Sequence, residues 1–171
     1  MGSTLNVTEA LKNPGQGYPF SAELELEDMV VLDDPVHFES VHVEGTVLGT
    51  GESINAVATA EAVISTRCSK CLEPMQLNLK AELDVHFMRM PDPEDPDLYA
   101  YDASTIDLTD PVRDALTLEM PMRFLCREDC KGLCPHCGAN LNEVTCTCQE
   151  GGEVANPFAA LKAMVQNDEE V

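Results

Sequence analysis

The stretch Cys68-Ser-Lys-Cys71-Leu-Glu-Pro-Met-Gln-Leu77-Asn-Leu-Lys-Ala-Glu-Leu-Asp-Val-His-Phe-Met88 sets a cysteine pair directly before a strand. From Leu77 onward the period is two. Leu77, Leu79, Ala81, Leu83, Val85 and Phe87 share one side, and Asn78, Lys80, Glu82, Asp84 and His86 share the other. Alternation of this kind marks a strand with one buried and one wet face.

The same reading extends upstream. Ala22, Leu24 and Leu26 alternate with Glu23, Glu25 and Glu27, Val41 to Leu48 reads as a second strand, and Ile54 to Thr66 as a third after the turn Gly49-Thr-Gly51. Consecutive strands with short connections predict an antiparallel, barrel-like sheet. Val7 to Leu11 predicts a short helix stopped by Pro14-Gly-Gln-Gly17. Downstream, Pro91-Asp-Pro-Glu-Asp-Pro-Asp97 predicts a solvated, extended linker. Asp110-Pro111 then has the form of a helix start, with Asp110 as N-cap. Val112, Ala115, Leu116 and Glu119 continue it to Pro121. A second start, Asn156-Pro157, opens a short terminal helix with an apolar stripe of Phe158, Leu161, Met164 and Val165.

Eight cysteines decide the chemistry. Cys68 and Cys71 form one pair, and Cys126, Cys130, Cys134, Cys137, Cys146 and Cys148 crowd into a second region. The start Met1-Gly-Ser-Thr-Leu-Asn shows no secretory signal, and no apolar run is long enough to span a bilayer. The expected compartment is therefore the cytoplasm, where thiols stay reduced and ligate metal rather than pair as disulfides. Eight thiols make two four-thiolate zinc sites with none left over. Cys134-Pro-His-Cys137-Gly is a strong ligand turn, and Cys146-Thr-Cys148 can complete a local knuckle. That leaves Cys68, Cys71, Cys126 and Cys130 for the other site. The alternative groups Cys126, Cys130, Cys134 and Cys137, with the outer pairs sharing the second ion. The first partition is preferred because it keeps the knuckle local, and spacing alone leaves both open. Neither common ferredoxin pattern fits the spacings. Sites filled by four cysteines keep no open position, which argues against zinc catalysis.

The expected fold is therefore α+β: an antiparallel, barrel-like β-sheet with short helices and a C-terminal zinc-binding cysteine segment. Residues 1–90 form the β domain carrying Cys68 and Cys71, residues 91–104 the acidic linker, and residues 105–171 the helix, zinc segment and terminal helix.

A net charge of −21 opposes general binding to nucleic acid or anionic membranes and favours a basic partner. Yet Arg67, Lys70, Arg123, Arg127 and Lys131, half of the ten basic residues, each lie within three positions of a cysteine. They can offset the charge of about −4 on two loaded sites, or offer a local contact to RNA phosphate. His136 reads as an exposed loop residue. No nucleophile–base arrangement, phosphate loop or His-rich site stands out, so an enzyme is not expected and no small-molecule substrate is implied. A thiol-based redox or zinc sensor is the competing function, and a direct zinc-dependent RNA-binding module another.

Three pieces resemble the YceD family, the large ribosomal RNA subunit accumulation proteins of bacteria and plastids. They are Arg67-Cys68-Ser-Lys-Cys71-Leu-Glu, the run from Leu125 to Asn142, and Asn156-Pro-Phe-Ala-Ala-Leu-Lys162. The middle piece is close to the tail of the cysteine-rich, Gram-positive members. The resemblance implies a non-enzymatic ribosome-assembly factor, with a basic ribosomal protein, large-subunit ribosomal RNA or both as partners.

Overall fold

The computed structural model describes residues 4–91, 94–95 and 98–148, and within these the protein is mostly β with two helices. The terminal helix expected from Asn156 lies outside the described residues. Chain contacts divide the molecule into two compact units, Met1–Cys130 and a second beginning at Lys131.

In the first unit β1 (Thr4–Asn6) leads into α1 (Thr8–Lys12), then β2 (Gly17–Leu24), β3 (Met29–Val31), β4 (Asp34–Gly49), β5 (Ser53–Arg67) and β6 (Pro74–Met88). β7 (Leu98–Ala100), β8 (Thr105–Asp107) and α2 (Thr109–Leu118) follow. The main sheet runs β2-β4-β5-β6-β7, with β3 paired to β4, and β1 and β8 form a separate ribbon. All pairings are antiparallel except β6 with β7.

The expected barrel does not form. Closure would need β2 to pair with β7, but these are the two ends of an open path. β7 has only three residues, and the apolar face is covered instead by α2, packed on β6 and β5, and by α1, packed on β4 and β2. Ala56, Ala58, Ala60 and Ala62 give β5 a shallow inner face between the bulkier Ile54 and Ile64, all of them buried. Such small side chains leave room for a helix to approach. Val112 and Leu116 of α2 are buried in the same core, together with Phe87, Ile106, Leu108 and Phe124.

Two local devices escape a periodicity reading. A bulge between Phe38 and Ser40 switches the inward set of β4 from Val36 and Phe38 to Val41, Val43 and Val47. One extra residue flips the pleat, so the strand extends past the point where its period breaks. The turn between β3 and β4 places Leu32 and Asp33 at φ 52° and 70°, a left-handed pair with none of the usual Asn-Gly chemistry. At α2 the cap also differs. Asp110 lies within the helix, while the Asp107 carboxylate accepts from the Thr109 N–H at 2.9 Å and its hydroxyl at 2.6 Å. The acidic segment after β6 is exposed at Glu94 and Asp95, and Leu98–Ala100 then returns as an edge strand.

Gly45 of β4 lies tight against its ladder neighbour β5. A Cβ there would stand 2.3 Å from the Val57 carbonyl oxygen and 2.5 Å from the Ala58 methyl. Gly45→Ala is expected to cost about 1–3 kcal/mol of stability, read as a lower denaturant midpoint, because backbone must move to admit a methyl group.

Candidate metal centre

The β5–β6 connection presents two cysteines to one point. Cys68 N–H donates to the Glu73 carbonyl at 2.9 Å, and Leu72 N–H to the Cys68 carbonyl at 2.8 Å. The turn closes with Leu72 at φ 62°. Its rigidity comes from the long paired strands on either side, which run in register from Ser53↔Met88 to Arg67↔Pro74.

Residues 124–130 lie across this turn and are tied to it by hydrogen bonds that need no metal. Ser69 N–H donates to the Phe124 carbonyl at 2.7 Å, Phe124 N–H to Ser69 Oγ at 3.2 Å, and Ser69 Oγ–H to Asp34 Oδ2 at 3.0 Å. Lys70 Nζ donates to the Cys130 carbonyl at 3.2 Å. Ser69 thus joins the hairpin, the start of β4 and the segment leading to Cys126. Its position between two cysteines is legible in the sequence; its role is not.

Cys68, Cys71, Cys126 and Cys130 converge, and every pair of sulfurs lies within 4.8 Å. Cys68 and Cys130 stand 3.8 Å apart and Cys71 and Cys126 3.7 Å. Tetrahedral zinc with Zn–S of about 2.3 Å requires sulfurs about 3.8 Å apart. The spacing is that of a four-thiolate cage and far too long for disulfides. Cys68, Cys71 and Cys130 are buried against Met75 and Leu125, while Cys126 is exposed.

The second unit holds the other four. Cys134 N–H donates to the Ala139 carbonyl and Gly138 N–H to the Cys134 carbonyl, both at 2.8 Å, with Gly138 at φ 73°. Asn140 and Asn142 brace the loop: Lys131 N–H donates to Asn142 Oδ1 at 2.9 Å, and Asn142 Nδ2 to Asn140 Oδ1 at 2.9 Å. Cys134, Cys137, Cys146 and Cys148 again bring all sulfurs within 4.8 Å, with Cys146 at 3.4 Å from Cys134 and 3.5 Å from Cys137. Of the two partitions open from spacing, the structure assembles the one with a local knuckle.

The backbone favours thiolate in both cages. Burial opposes charge on Cys68, but backbone hydrogen bonds from Cys126, Cys71 and Lys70 more than offset it and bring its pKa down to about 6. At Cys134, backbone hydrogen bonds from Cys137 and His136 lower the value to about 6. The last proton in each cage is hard to remove. Burial and the neighbouring thiols push Cys126 up to about 12, and hydrogen bonds with Cys146 and Cys137 push Cys148 up to about 12. A divalent ion supplies the charge that releases those protons. Donor type, number and spacing therefore fit a closed, soft-metal site with no coordination position for substrate.

The two cages differ in access. Three of four sulfurs in the first belong to buried residues, against one of four in the second. A competing chelator is expected to strip the second centre first, giving two kinetic steps in a metal-release assay. Simultaneous loss of both ions would contradict this.

The basic residues flanking the cysteines are all exposed. Two have local partners, Lys70 on the Cys130 carbonyl and Arg127 Nε on Asp129 Oδ1 at 3.5 Å. Among the described residues no helix is long and apolar enough to cross a membrane.

Comparison with known proteins adds what geometry cannot. An uncharacterized protein of Mycobacterium tuberculosis is 29% identical over 152 residues, spanning 81% of this chain and 70% of that protein. The uncharacterized protein YlbN of Bacillus subtilis is 27% identical over 163 residues, spanning 92% of this chain and 93% of that protein. A chloroplastic large ribosomal RNA subunit accumulation protein YCED homolog 1 of Arabidopsis thaliana is 36% identical over 66 residues, 37% of this chain and 21% of that protein. No solved structure matches the chain. The family described as large ribosomal RNA subunit accumulation protein YceD matches residues 56–165, a stretch holding the β5–β6 hairpin and all eight cysteines. With well over half of its length matched, this chain belongs to the YceD family, described as large ribosomal RNA subunit accumulation proteins.

Proposed function

We propose that this protein is a cytoplasmic, non-enzymatic factor supporting accumulation of large-subunit ribosomal RNA, acting through a basic ribosomal protein. The family match over residues 56–165 carries the reading. Zinc in both cages shapes the region after α2: the first ion fixes Cys126 and Cys130 to the hairpin, and the second folds the knuckle.

The wet face of the sheet supports a basic partner. Glu23, Glu44, Glu61, Glu82 and Asp84 are exposed there on four adjacent strands. One row is internally compensated, with His42 beside Glu23 at 2.7 Å and Lys80 beside Glu61 at 2.8 Å. No ion pair among the described residues engages Glu44, Glu82 or Asp84. Asp84 accepts from Asn55 Nδ2 at 2.8 Å and Lys80 lies within electrostatic range of Glu44 and Glu82, yet the face keeps a negative excess that attracts lysine and arginine from outside.

The purified protein is expected to retain a basic ribosomal protein and to release it progressively between about 0.1 and 0.5 M salt, as screening shortens the range of the acidic field. Retention indifferent to salt, or absent, would count against the partner. Loss of the protein from cells is expected to lower the ratio of large- to small-subunit ribosomal RNA.

Direct contact to RNA through Arg67, Lys70, Arg123, Arg127 and Lys131 is the second reading. Lys70 and Arg127 already have local partners, the Cys130 carbonyl and the Asp129 carboxylate, which weakens this reading for those two.

A further inference from the structure

The second unit contains a cavity that opens onto its cage and extends beyond the four sulfurs. Beside the knuckle lies a half-open cavity of about 530 Å³, lined by Lys131, Pro135, His136, Leu141, Val144 and three of the sulfur-bearing residues, Cys134, Cys146 and Cys148. An ion bound at about 2.3 Å from the four sulfurs would lie between them and leave most of that space free. The remainder is within the range of small-ligand sites. Pro135, Leu141 and Val144 supply apolar walls, and Val144 is 52% exposed. The loop geometry is fixed before any ligand arrives, by the Asn140–Asn142 bonds and by Leu141 N–H on the Gly132 carbonyl at 2.9 Å.

We infer that this cavity receives one unpaired nucleobase of RNA, with guanine preferred, and that Lys131 holds the adjoining phosphate. The inference rests on the reading of the protein as a ribosomal RNA factor and says where it touches RNA. Charge decides the orientation. A loaded four-thiolate cage carries about −2, so phosphate is repelled from the sulfur floor and must lie at the rim. Thiolate sulfurs accept hydrogen bonds, as Cys146 Sγ does from Cys148 N–H at 3.2 Å. A base edge bearing adjacent N–H donors suits that floor, and guanine offers N1–H beside its N2 amino group. The apolar walls cover the base faces, and His136 adds an exposed ring at the rim. Lys131 is the flanking cation suited to phosphate. Its ammonium forms no ion pair among the described residues, whereas Lys70 and Arg127 are engaged locally. Single-stranded or bulged RNA is required, because a paired base hides the edge that the sulfurs would read.

The test uses the full, zinc-loaded chain and three RNA hairpins: one with a single bulged guanosine, one with a bulged uridine, and one fully paired. Fluorescence anisotropy is expected to show the bulged guanosine binding about tenfold more tightly than the paired control, with uridine between them. Val144→Asp should abolish that difference. Lys131→Gln should weaken binding of every hairpin and reduce the salt slope by about one. Zinc content must remain two per chain in both variants. Equal affinity for bulged and paired RNA, or variants that bind as the parent does, would overturn the inference. So would displacement of no RNA contact but loss of a basic peptide on Val144→Asp, which would make the cavity a protein site. Complementation separates the two levels. If cells lacking the protein keep normal large-subunit RNA, the functional reading fails. If they lose it and the Val144→Asp chain restores it fully, only the cavity assignment fails.

Discussion

Replacing Cys71 and Cys126 by serine is expected to halve the metal content, from two ions to one, and to unfasten residues 124–130 from the hairpin. Serine keeps the shape but removes the soft thiolate that selects zinc. The two residues are 55 positions apart, so an ion bound there would close a long loop whose ends stand only 3.7 Å apart at sulfur. Structural zinc contributes about 10–16 kcal/mol to small metal-dependent units. A loss on the order of 5 kcal/mol or more is expected here, because the Ser69 hydrogen bonds and the Phe124 packing persist without the ion. That corresponds to a fall in melting temperature of roughly 15 °C or more. The matching substitution of Cys137 and Cys148 should also remove one ion but leave melting of the sheet nearly unchanged, since those residues belong to the second unit. Acidification should mimic both. Ligation needs all four thiolates of a cage, so protons compete with the ion. Stability that a bound ion confers should fall steadily as pH is lowered from neutral, because Cys126 and Cys148, pushed up to about 12, take their protons back most readily. Unchanged stoichiometry in the Cys71/Cys126 variant would sink the assignment of that cage.

Phe124→Ala should produce the second large effect and link core to cage. The side chain is 1% exposed and lies in the main core cluster, so its truncation is expected to cost about 3–5 kcal/mol. Its backbone also exchanges hydrogen bonds with Ser69, one residue from Cys68. Loss of the ring loosens that exchange, and the first cage should then bind zinc more weakly while the second is unaffected. Phe87→Ala supplies the control. Phe87 is equally buried and packs its ring against Tyr99 at 5.8 Å, on the parallel edge of the sheet. A similar cost in stability without any change in metal affinity is expected there. Competition with a chromophoric chelator measures both variants, and equal metal affinities would separate the cage from the core.

Strand existence was readable wherever the period of two ran unbroken, as in Leu77 to Met88 and Ile54 to Thr66. It failed where one residue is inserted. The Phe38/Ser40 bulge shifts Val41 onto the face of Val36, and no local pattern announces that shift. Three-residue strands such as β1, β7 and β8 were missed for another reason. They are too short to show a period and exist only because a partner strand is nearby. The barrel expectation followed from strand order, but α1 and α2 occupy the face that a closing strand would have covered.

The amino-acid sequence by itself determined the chemistry: eight thiols in ligand-spaced pairs, an acidic excess, and alternating strands before the cysteine-rich stretch. Ligand type is a property of side chains, and alternation a property of neighbours, so neither needs a fold to be seen. Spacing left two partitions of the thiols open, with the local knuckle preferred, and the tertiary structure decided between them. Cys71 and Cys126 meet because a rigid hairpin and the core-anchored Phe124 carry them together, and distance along the chain carries no trace of that meeting.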